Sequence, residues 1–319
     1  WTSEPVKASN TSGYADHKSV LNKTPSVVIK RIIRSLLMTI FPARCMGCGH
    51  LFIPPPVDSG LDVPVGLRAI SGNNHLSETD NRPIAGDPNS TSLDTNAQLS
   101  QWICSDCLPG WMPVTSPMCN MCGMPFKSRQ GSDHLCGECI KNPKYFQSAR
   151  TAAFYTPLTM ALIHRFKYNR KIQLAKPLGV ILASTFMRFC KIEDYNLIVP
   201  VPLHSKRFRQ RGFNQAYLLA KAFYRQFQNT TQPALNVTVE RGSLCRTLPT
   251  VSQTGLRRKS RLKNVKNAFR TINPSIINTQ RILLIDDIYT TGATVNECAK
   301  VLLDGGASRI DVLTVARAV

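Results

Sequence analysis

From Ala149 to the C-terminus two kinds of apolar pattern alternate along the chain. Short continuous apolar runs predict strands at Thr151–Tyr155, Leu197–Val201, Val237–Glu240, Ala268–Ile272, Ile282–Ile285 and Ile310–Ala316. Apolar residues recur at helical spacing over Leu158–Lys167, Leu174–Phe189, Asn214–Phe227 and Ala293–Leu303. A polar, basic stretch separates Glu240 from Ala268. Strands that are apolar throughout, alternating with helices, predict an α/β fold: a mostly parallel sheet covered on both faces. In such sheets ligands bind beyond the carboxyl ends of the strands, where the strand order reverses. The loops after Val201 and after Ile285 are therefore where chemistry is expected.

The N-terminal part reads differently. Residues 1–25 are polar and are expected to be disordered. Val27 to Phe41 predicts a helix, with Val28, Ile32, Leu36 and Ile40 in one apolar row, Lys30, Arg31 and Arg34 on the other side, and Pro42 as its stop. Such a basic amphipathic helix packs on its own domain or lies on a membrane surface. Pro54 to Gln101 is rich in Ser, Asn, Asp, Pro and Gly, the composition of a disordered insertion. The expected organisation is a disordered terminus (1–25), a helix plus cysteine-rich domain (26–144, with the insertion at 54–101) and an α/β domain (145–319). No apolar run approaches the ~20 residues that cross a bilayer.

Charge and cysteines sharpen this division. The 319 residues carry 40 Lys and Arg against 19 Asp and Glu, a net charge of +21. Residues 145–281 alone hold 24 basic and 3 acidic side chains. A block so basic attracts polyanions: nucleic acid, an acidic partner or a polyphosphate metabolite. Eight of the 11 cysteines form four Cys-x-x-Cys pairs, Cys45/Cys48, Cys104/Cys107, Cys119/Cys122 and Cys136/Cys139. A Cys-x-x-Cys turn points two thiolates at one tetrahedral ion, so two turns complete a four-sulfur zinc site. Sequential pairing gives two sites, the first spanning the insertion; interleaved pairing, Cys45/Cys48 with Cys119/Cys122, is also compatible with the spacing. Disulfides would need an oxidising compartment, and a redox motif would be one pair rather than four in series. His50 and His134 lie near the pairs, but eight cysteines already fill two sites.

The sharpest chemistry follows the Ile282–Ile285 run. Asp286 and Asp287 stand after it, and Thr290, Thr291, Gly292, Ala293 and Thr294 lead into the next helix. A helix N-terminus with free N–H groups favours an anion, and Gly292 lets the backbone approach it. Two carboxylates beside a phosphate cradle suit a diol and a divalent cation, as a ribose 5-phosphate presents them.

These 13 positions resemble the phosphoribosyl pyrophosphate (PRPP) signature of type I phosphoribosyltransferases, with Tyr289 where an aliphatic residue is usual. The resemblance implies that Asp286 and Asp287 hold the ribose hydroxyls and that residues Thr290 to Thr294 wrap the 5-phosphate. Further stretches resemble the ComF family, competence-related phosphoribosyltransferase-like proteins with an N-terminal zinc domain. They are VPVPL from Val199, Arg207, and Arg211-Gly-Phe-Asn-Gln215, together with Arg246-Thr247, Gln253, Leu256, Arg261, Asn264, Ala268 and Phe269. The similarity covers about residues 27–319 apart from the insertion. It implies a type I phosphoribosyltransferase-like sheet with a small zinc-ribbon or knuckle domain. Structural zinc and Mg²⁺ taken with PRPP are the expected cofactors. Catalysis by such a site needs cations at the departing pyrophosphate; Lys206, Arg207 and Arg211 fit that clamp, with Arg246, Gln253 and Arg261 in a mobile loop. Lys167 and Arg170 read equally as surface cations or phosphate contacts. Arg257, Arg258 and Lys259 read as a solvated face or nucleic-acid contact.

Two functions follow as expectations. One is a phosphoribosyltransferase acting on an acceptor the sequence does not name, since no carboxylate lies between Asp287 and Glu297 to serve as a base. The other is a single-stranded DNA-handling protein in which this fold is structural or regulatory. Expected partners are PRPP, single-stranded DNA and competence helicase or DNA-processing proteins, in a bacterial cytoplasm whose reducing conditions keep eight thiolates on zinc.

Overall fold

The structure is a computed structural model that describes residues 42–55, 95–128, 130–228, 236–249 and 265–318. The Val27–Phe41 helix, the N-terminal 25 residues, most of the insertion, and Gln253, Leu256, Arg257, Arg258, Lys259, Arg261 and Asn264 lie outside the described residues. Ala43–Val319 forms one compact unit.

That unit begins with two short strands, β1 (Ala43–Arg44) and β2 (Leu51–Phe52), paired antiparallel around the first Cys-x-x-Cys turn. Helix α1 (Thr95–Leu99) precedes the second turn, and α2 (Gly137–Lys141) carries the last cysteine of the fourth. Composition extends the disordered insertion to Gln101; the structure instead orders its last turn. Leu99 and Ile103 are buried in the core, and Gln101 Nε2 donates to the carbonyl of Pro55 at 2.9 Å, so the two ends of the insertion meet.

The α/β part follows as β3 (Ser148–Phe154), α3 (Pro157–Tyr168), α4 (Ala175–Met187), β4 (Leu197–Pro200), α5 (Ser205–Arg211), α6 (Gln215–Gln228) and β5 (Thr238–Val239). Then come β6 (Leu244–Arg246), β7 (Phe269–Thr271), α7 (Pro274–Ile277), β8 (Arg281–Tyr289), α8 (Ala293–Asp304) and β9 (Arg309–Arg317). Five strands form one parallel sheet in the order β3-β9-β8-β4-β5. From β4 the chain moves outward to β5; from β8 it moves the other way to β9. The order therefore reverses between β4 and β8, which places the switch point between the two loops singled out from the sequence.

Alternation along β8 explains the layers. Leu283 and Ile285 pack on the face covered by α3, α4 and α6, while Ile282 and Leu284 pack on the face covered by α8. Each such fully buried side chain stabilises the fold by about 1.5–3 kcal/mol. Helix α3 starts at a reciprocal cap: Thr156 Oγ1 accepts from the Thr159 N–H, the Thr156 N–H donates to Thr159 Oγ1 at 2.7 Å, and Pro157 fits the first turn. Helices α4 and α6 touch at Gly179, where a Cβ would lie 2.5 Å from that of Ala222. The rings of Phe186, Phe223 and Phe227 fill the space beside that contact.

Three further elements differ from the sequence reading. Strand β8 runs four residues past Ile285, so Asp286 and Asp287 lie within it and not at its end. The β4 ladder stops at Pro200 opposite Ile285, whereas β9 continues alongside to Tyr289, so only one edge of β8 is unpaired at the carboxylates. The basic stretch after Glu240 contains β6, antiparallel to β7. The segment after Val201 winds into α5, ended by Gly212 in a left-handed conformation (φ 82°).

Candidate functional site

Asp286 and Asp287 lie in β8 just past the point where β4 leaves one of its edges free. The Asp287 N–H donates to Asp286 Oδ1 at 2.8 Å, which fixes the first side chain along the strand. Burial, then the adjacent charge of Asp287, pushes Asp286 up to about 7, against the pull of Lys167, the Asp287 N–H and Arg246. Asp287 is buried and pairs with Lys167 Nζ at 2.6 Å, delivered by the last turn of α3. Tyr155 stands close enough to both for their charges to act on its phenol, which burial raises.

Past the carboxylates the chain turns at Gly292 (φ 75°), the residue before α8. Only glycine fits there without strain, since φ is left-handed and a Cβ would meet the Tyr289 ring at 2.6 Å. Thr291 Oγ1 accepts from the Ala293 N–H at 3.3 Å, and Ala293 is buried while Thr290, Thr291 and Thr294 are half-buried. The result is a turn of hydroxyls and N–H groups at the positive end of a 12-residue helix.

Beside Asp286 stands Arg246, and a line of arginines leads away from it to Arg207 and Arg211. Burial, then the like charge of Arg211, lowers Arg207; burial, then Arg207, lowers Arg246, which also feels Asp286. Arg246 stacks on Phe269 at 5.2 Å, so the β6–β7 pair, which the sequence did not show as paired, carries it to the site. Arg211 donates to Gln215 Oε1 (3.1 Å) and to the hydroxyl of Tyr168 (3.0 Å), with its guanidinium 4.8 Å over that ring. Lys206 differs from its expected neighbours: it is exposed on α5. Arg170 is exposed as well. Gln253 and Arg261 fall outside the described residues. Lys167 reads either way in the sequence, and Tyr155 and Tyr168 carry no signal there, because their approach depends on where α3 and β3 end.

The thiols pair sequentially. Cys45, Cys48, Cys104 and Cys107 form one cluster and Cys119, Cys122, Cys136 and Cys139 another, each with its sulfurs within 4.8 Å of one another. A tetrahedral four-sulfur site with metal–sulfur bonds of about 2.3 Å sets sulfurs about 3.8 Å apart. Cys48 Sγ and Cys104 Sγ, and Cys122 Sγ and Cys136 Sγ, are each 3.8 Å apart. Burial opposes charge on Cys45 and Cys119, but N–H groups overcome it and bring them down to about 6 and about 7. Burial, then neighbouring thiols, pushes Cys107 up to about 12. Four thiolates so close need a divalent cation, and both clusters could hold zinc. The first packs into the core on the α3 face and the second on the α8 face.

This is an α/β protein with two adjacent carboxylates and a Thr/Gly turn at its switch point and two four-cysteine clusters. No family model matches the chain. It is 33% identical over 224 residues to the DNA utilization protein YhgH of Escherichia coli K12, covering 69% of this chain and 92% of that one. It is 33% identical to competence protein F of Haemophilus influenzae, over 63% of this chain and 85% of that one, and 28% identical to competence protein ComFC of Bacillus subtilis, over 67% and 84%. The chain belongs to the ComF family. Among solved structures, the B. subtilis glutamine PRPP amidotransferase matches 44% of this chain and 25% of its own at 18% identity and a TM-score of 0.27. A Staphylococcus aureus hypoxanthine phosphoribosyltransferase matches 46% and 72% at 13% identity and a TM-score of 0.25. Among the described residues no helix is long and apolar enough to cross a membrane.

Proposed function

We propose that the chain binds PRPP with Mg²⁺ and transfers the phosphoribosyl group to an acceptor nucleophile. One observation carries this reading: Asp286 and Asp287 lead directly into the Gly292 turn and α8, with Arg246 close enough to act on Asp286 and Arg207 next to Arg246. In this reading the turn from Thr290 to Thr294 takes the 5-phosphate and the carboxylates take the ribose hydroxyls. Mg²⁺ supplies charge neutralisation at the pyrophosphate when bound. The C1–O bond to pyrophosphate breaks, the acceptor's lone pair bonds to C1 and the acceptor gives up a proton. Arg207, Arg211 and Arg246 face the charge that develops on the departing group. Asp287, paired with the Lys167 ammonium at 2.6 Å, accepts a ribose hydroxyl hydrogen bond. The thiol clusters suit the reducing conditions of a cytoplasm.

Calorimetric titration of zinc-loaded protein with PRPP, with and without Mg²⁺, tests the proposal. Saturable, Mg²⁺-dependent binding that is lost in Asp286→Asn/Asp287→Asn, with the fold intact by circular dichroism, is the expected outcome. Unchanged affinity in that double variant overturns it.

A second reading is compatible with the first: single-stranded DNA handling. A groove of about 290 Å³ beside edge strand β5 is lined by Tyr217, Tyr224, Lys221 and Arg225. Arg241 lies 5.3 Å over the Tyr217 ring. Rings for stacking beside backbone-seeking cations suit a single strand, and the relatives named for DNA utilization and competence favour it. Binding of labelled oligonucleotide should weaken steeply between about 50 and 200 mM salt; affinity that is flat across that range refutes this reading.

A further inference from the structure

The second four-cysteine cluster reaches the anion turn through a single buried cation. Arg317, at the end of β9, is 2% exposed. Its Nη1 donates to the Cys122 carbonyl at 2.6 Å and its Nη2 to Cys122 Sγ at 3.8 Å. It meets no carboxylate among the described residues, and its Nε is buried without a hydrogen-bond partner. A buried guanidinium so placed needs a negative counterpart. A zinc ion on four thiolates carries two net negative charges, which Arg317 would face directly. On its other side the guanidinium lies 4.3 Å from the centre of the Tyr289 ring. That ring, 3% exposed, is wedged edge-on against Phe146 and lies directly under Gly292. Every link from cluster to turn is thus a buried, direct contact: Cys122, Arg317, Tyr289, Gly292.

We infer that Arg317 is a positioning residue that couples metal occupancy of the Cys119/Cys122/Cys136/Cys139 cluster to the geometry of the anion turn. With zinc bound, Arg317 is held on Cys122 and Tyr289 holds the turn in its left-handed conformation. When the metal leaves, nothing fixes Cys122 in place, Arg317 is no longer held and the support beneath Gly292 slackens. The first cluster has a parallel but separate attachment. Arg165 Nη1 donates to the Cys45 carbonyl at 3.0 Å and so ties that cluster to α3 instead. The inference deepens the proposed function by naming what conditions the phosphate subsite, and it rests on that reading only for its consequence, not for the coupling itself.

The test uses the full chain loaded with zinc and needs no ligand. Amide hydrogen exchange is followed in peptides covering residues 289–296, and zinc release is followed with a chromophoric chelator. Arg317→Met should speed exchange in the turn by about tenfold or more and weaken one of two zinc ions by about tenfold to a hundredfold, the usual effect of losing a group that supports a ligand. Arg317→Lys should recover part of the zinc affinity through its charge, but not the turn protection, because it lacks the planar face on Tyr289. Arg165→Met should leave the turn unaltered. Should Arg317→Met fail to fold, the native chain gives the same answer. Zinc is withdrawn stepwise while alkylation identifies the freed thiols, and turn exchange should rise at the step that frees Cys122 and Cys136, not at the step that frees Cys45 and Cys48. Turn exchange that ignores both Arg317→Met and loss of the second zinc overturns the coupling. Coupling that persists in a protein that binds no PRPP overturns the ligand reading alone.

Discussion

Asp286→Asn should make the ligand-free protein more stable while weakening the PRPP binding proposed above. The carboxyl sits at about 7 instead of the 3.8 of an unperturbed side chain, raised by burial and then by Asp287. Between those two values the folded chain retains a proton that the unfolded chain releases, so stability falls as pH rises through that window and stays lower above it. The shift corresponds to about 4 kcal/mol at full ionisation. Charge sharing within the Asp286/Asp287 pair reduces the share removed by one substitution to about 2 kcal/mol. Asparagine keeps Oδ1 as the acceptor for the Asp287 N–H and carries no charge. The variant should therefore melt about 4–8 °C higher at pH 8, and the gain should roughly double between pH 5.5 and pH 8, as the wild-type carboxylate ionises. Thermal melts by circular dichroism across that range, on zinc-loaded protein without ligand, are the measurement. A variant that melts lower at pH 8, or a gain that does not depend on pH, refutes the claim that Asp286 is held charged at a cost.

Lys167→Met leaves Asp287 buried without its ammonium and should cost about 3 kcal/mol in urea unfolding; adding Asp287→Asn should recover most of it, and no recovery would show that the pair is not the cause. Gly292→Ala forces a side chain into a left-handed residue, at about 1–2 kcal/mol, and against the Tyr289 ring. Its calorimetric PRPP affinity should fall at least about tenfold while the melting temperature drops by only a few degrees, and an unchanged affinity would mean that the turn does not take the phosphate.

Much of the site was readable in the sequence because its signals are local. The apolar run, the carboxylate pair and the Thr/Gly turn lie within 13 consecutive positions, and each Cys-x-x-Cys turn is complete in four residues. What depended on pairing across the chain was not readable. Sequential and interleaved cysteine pairing have the same local pattern, and only the fold, which gathers each set of four sulfurs within 4.8 Å, separates them. Arg246 was expected in a loop, but its position comes from β6, a three-residue strand too short to show an apolar run, pairing with β7 inside the expected Ala268–Ile272 strand. Strand β8 looked four residues shorter than it is, because Asp286 and Asp287 interrupt its apolar run just where its β4 neighbour ends and β9 still pairs. Lys206 lies in the same motif and is exposed on α5, whereas Arg207 and Arg211 are half-buried, a difference that depends on the helix α5 that the sequence did not show.

Tyr289 is the instructive case. In the sequence it was a departure, an aromatic ring where the phosphoribosyltransferase pattern has an aliphatic side chain. An aliphatic residue there would fill the same buried space between β8 and α8. It would offer no π face to a guanidinium and no rigid edge beneath Gly292. The ring supplies both, and its partner Arg317 reaches the second thiol cluster in the same step. The departure from the pattern therefore coincides with a contact the motif alone does not specify, in which an N-terminal cysteine cluster abuts the Thr/Gly turn. An aliphatic residue at this position should be accompanied by loss of the buried arginine, because a guanidinium deprived of the ring keeps only Cys122 to offset its desolvation. The double substitution Tyr289→Leu/Arg317→Leu should thus be less damaging to folding than Tyr289→Leu alone, with their interaction read as the coupling energy of a double-mutant cycle; strictly additive effects would show that ring and guanidinium are neighbours without being partners.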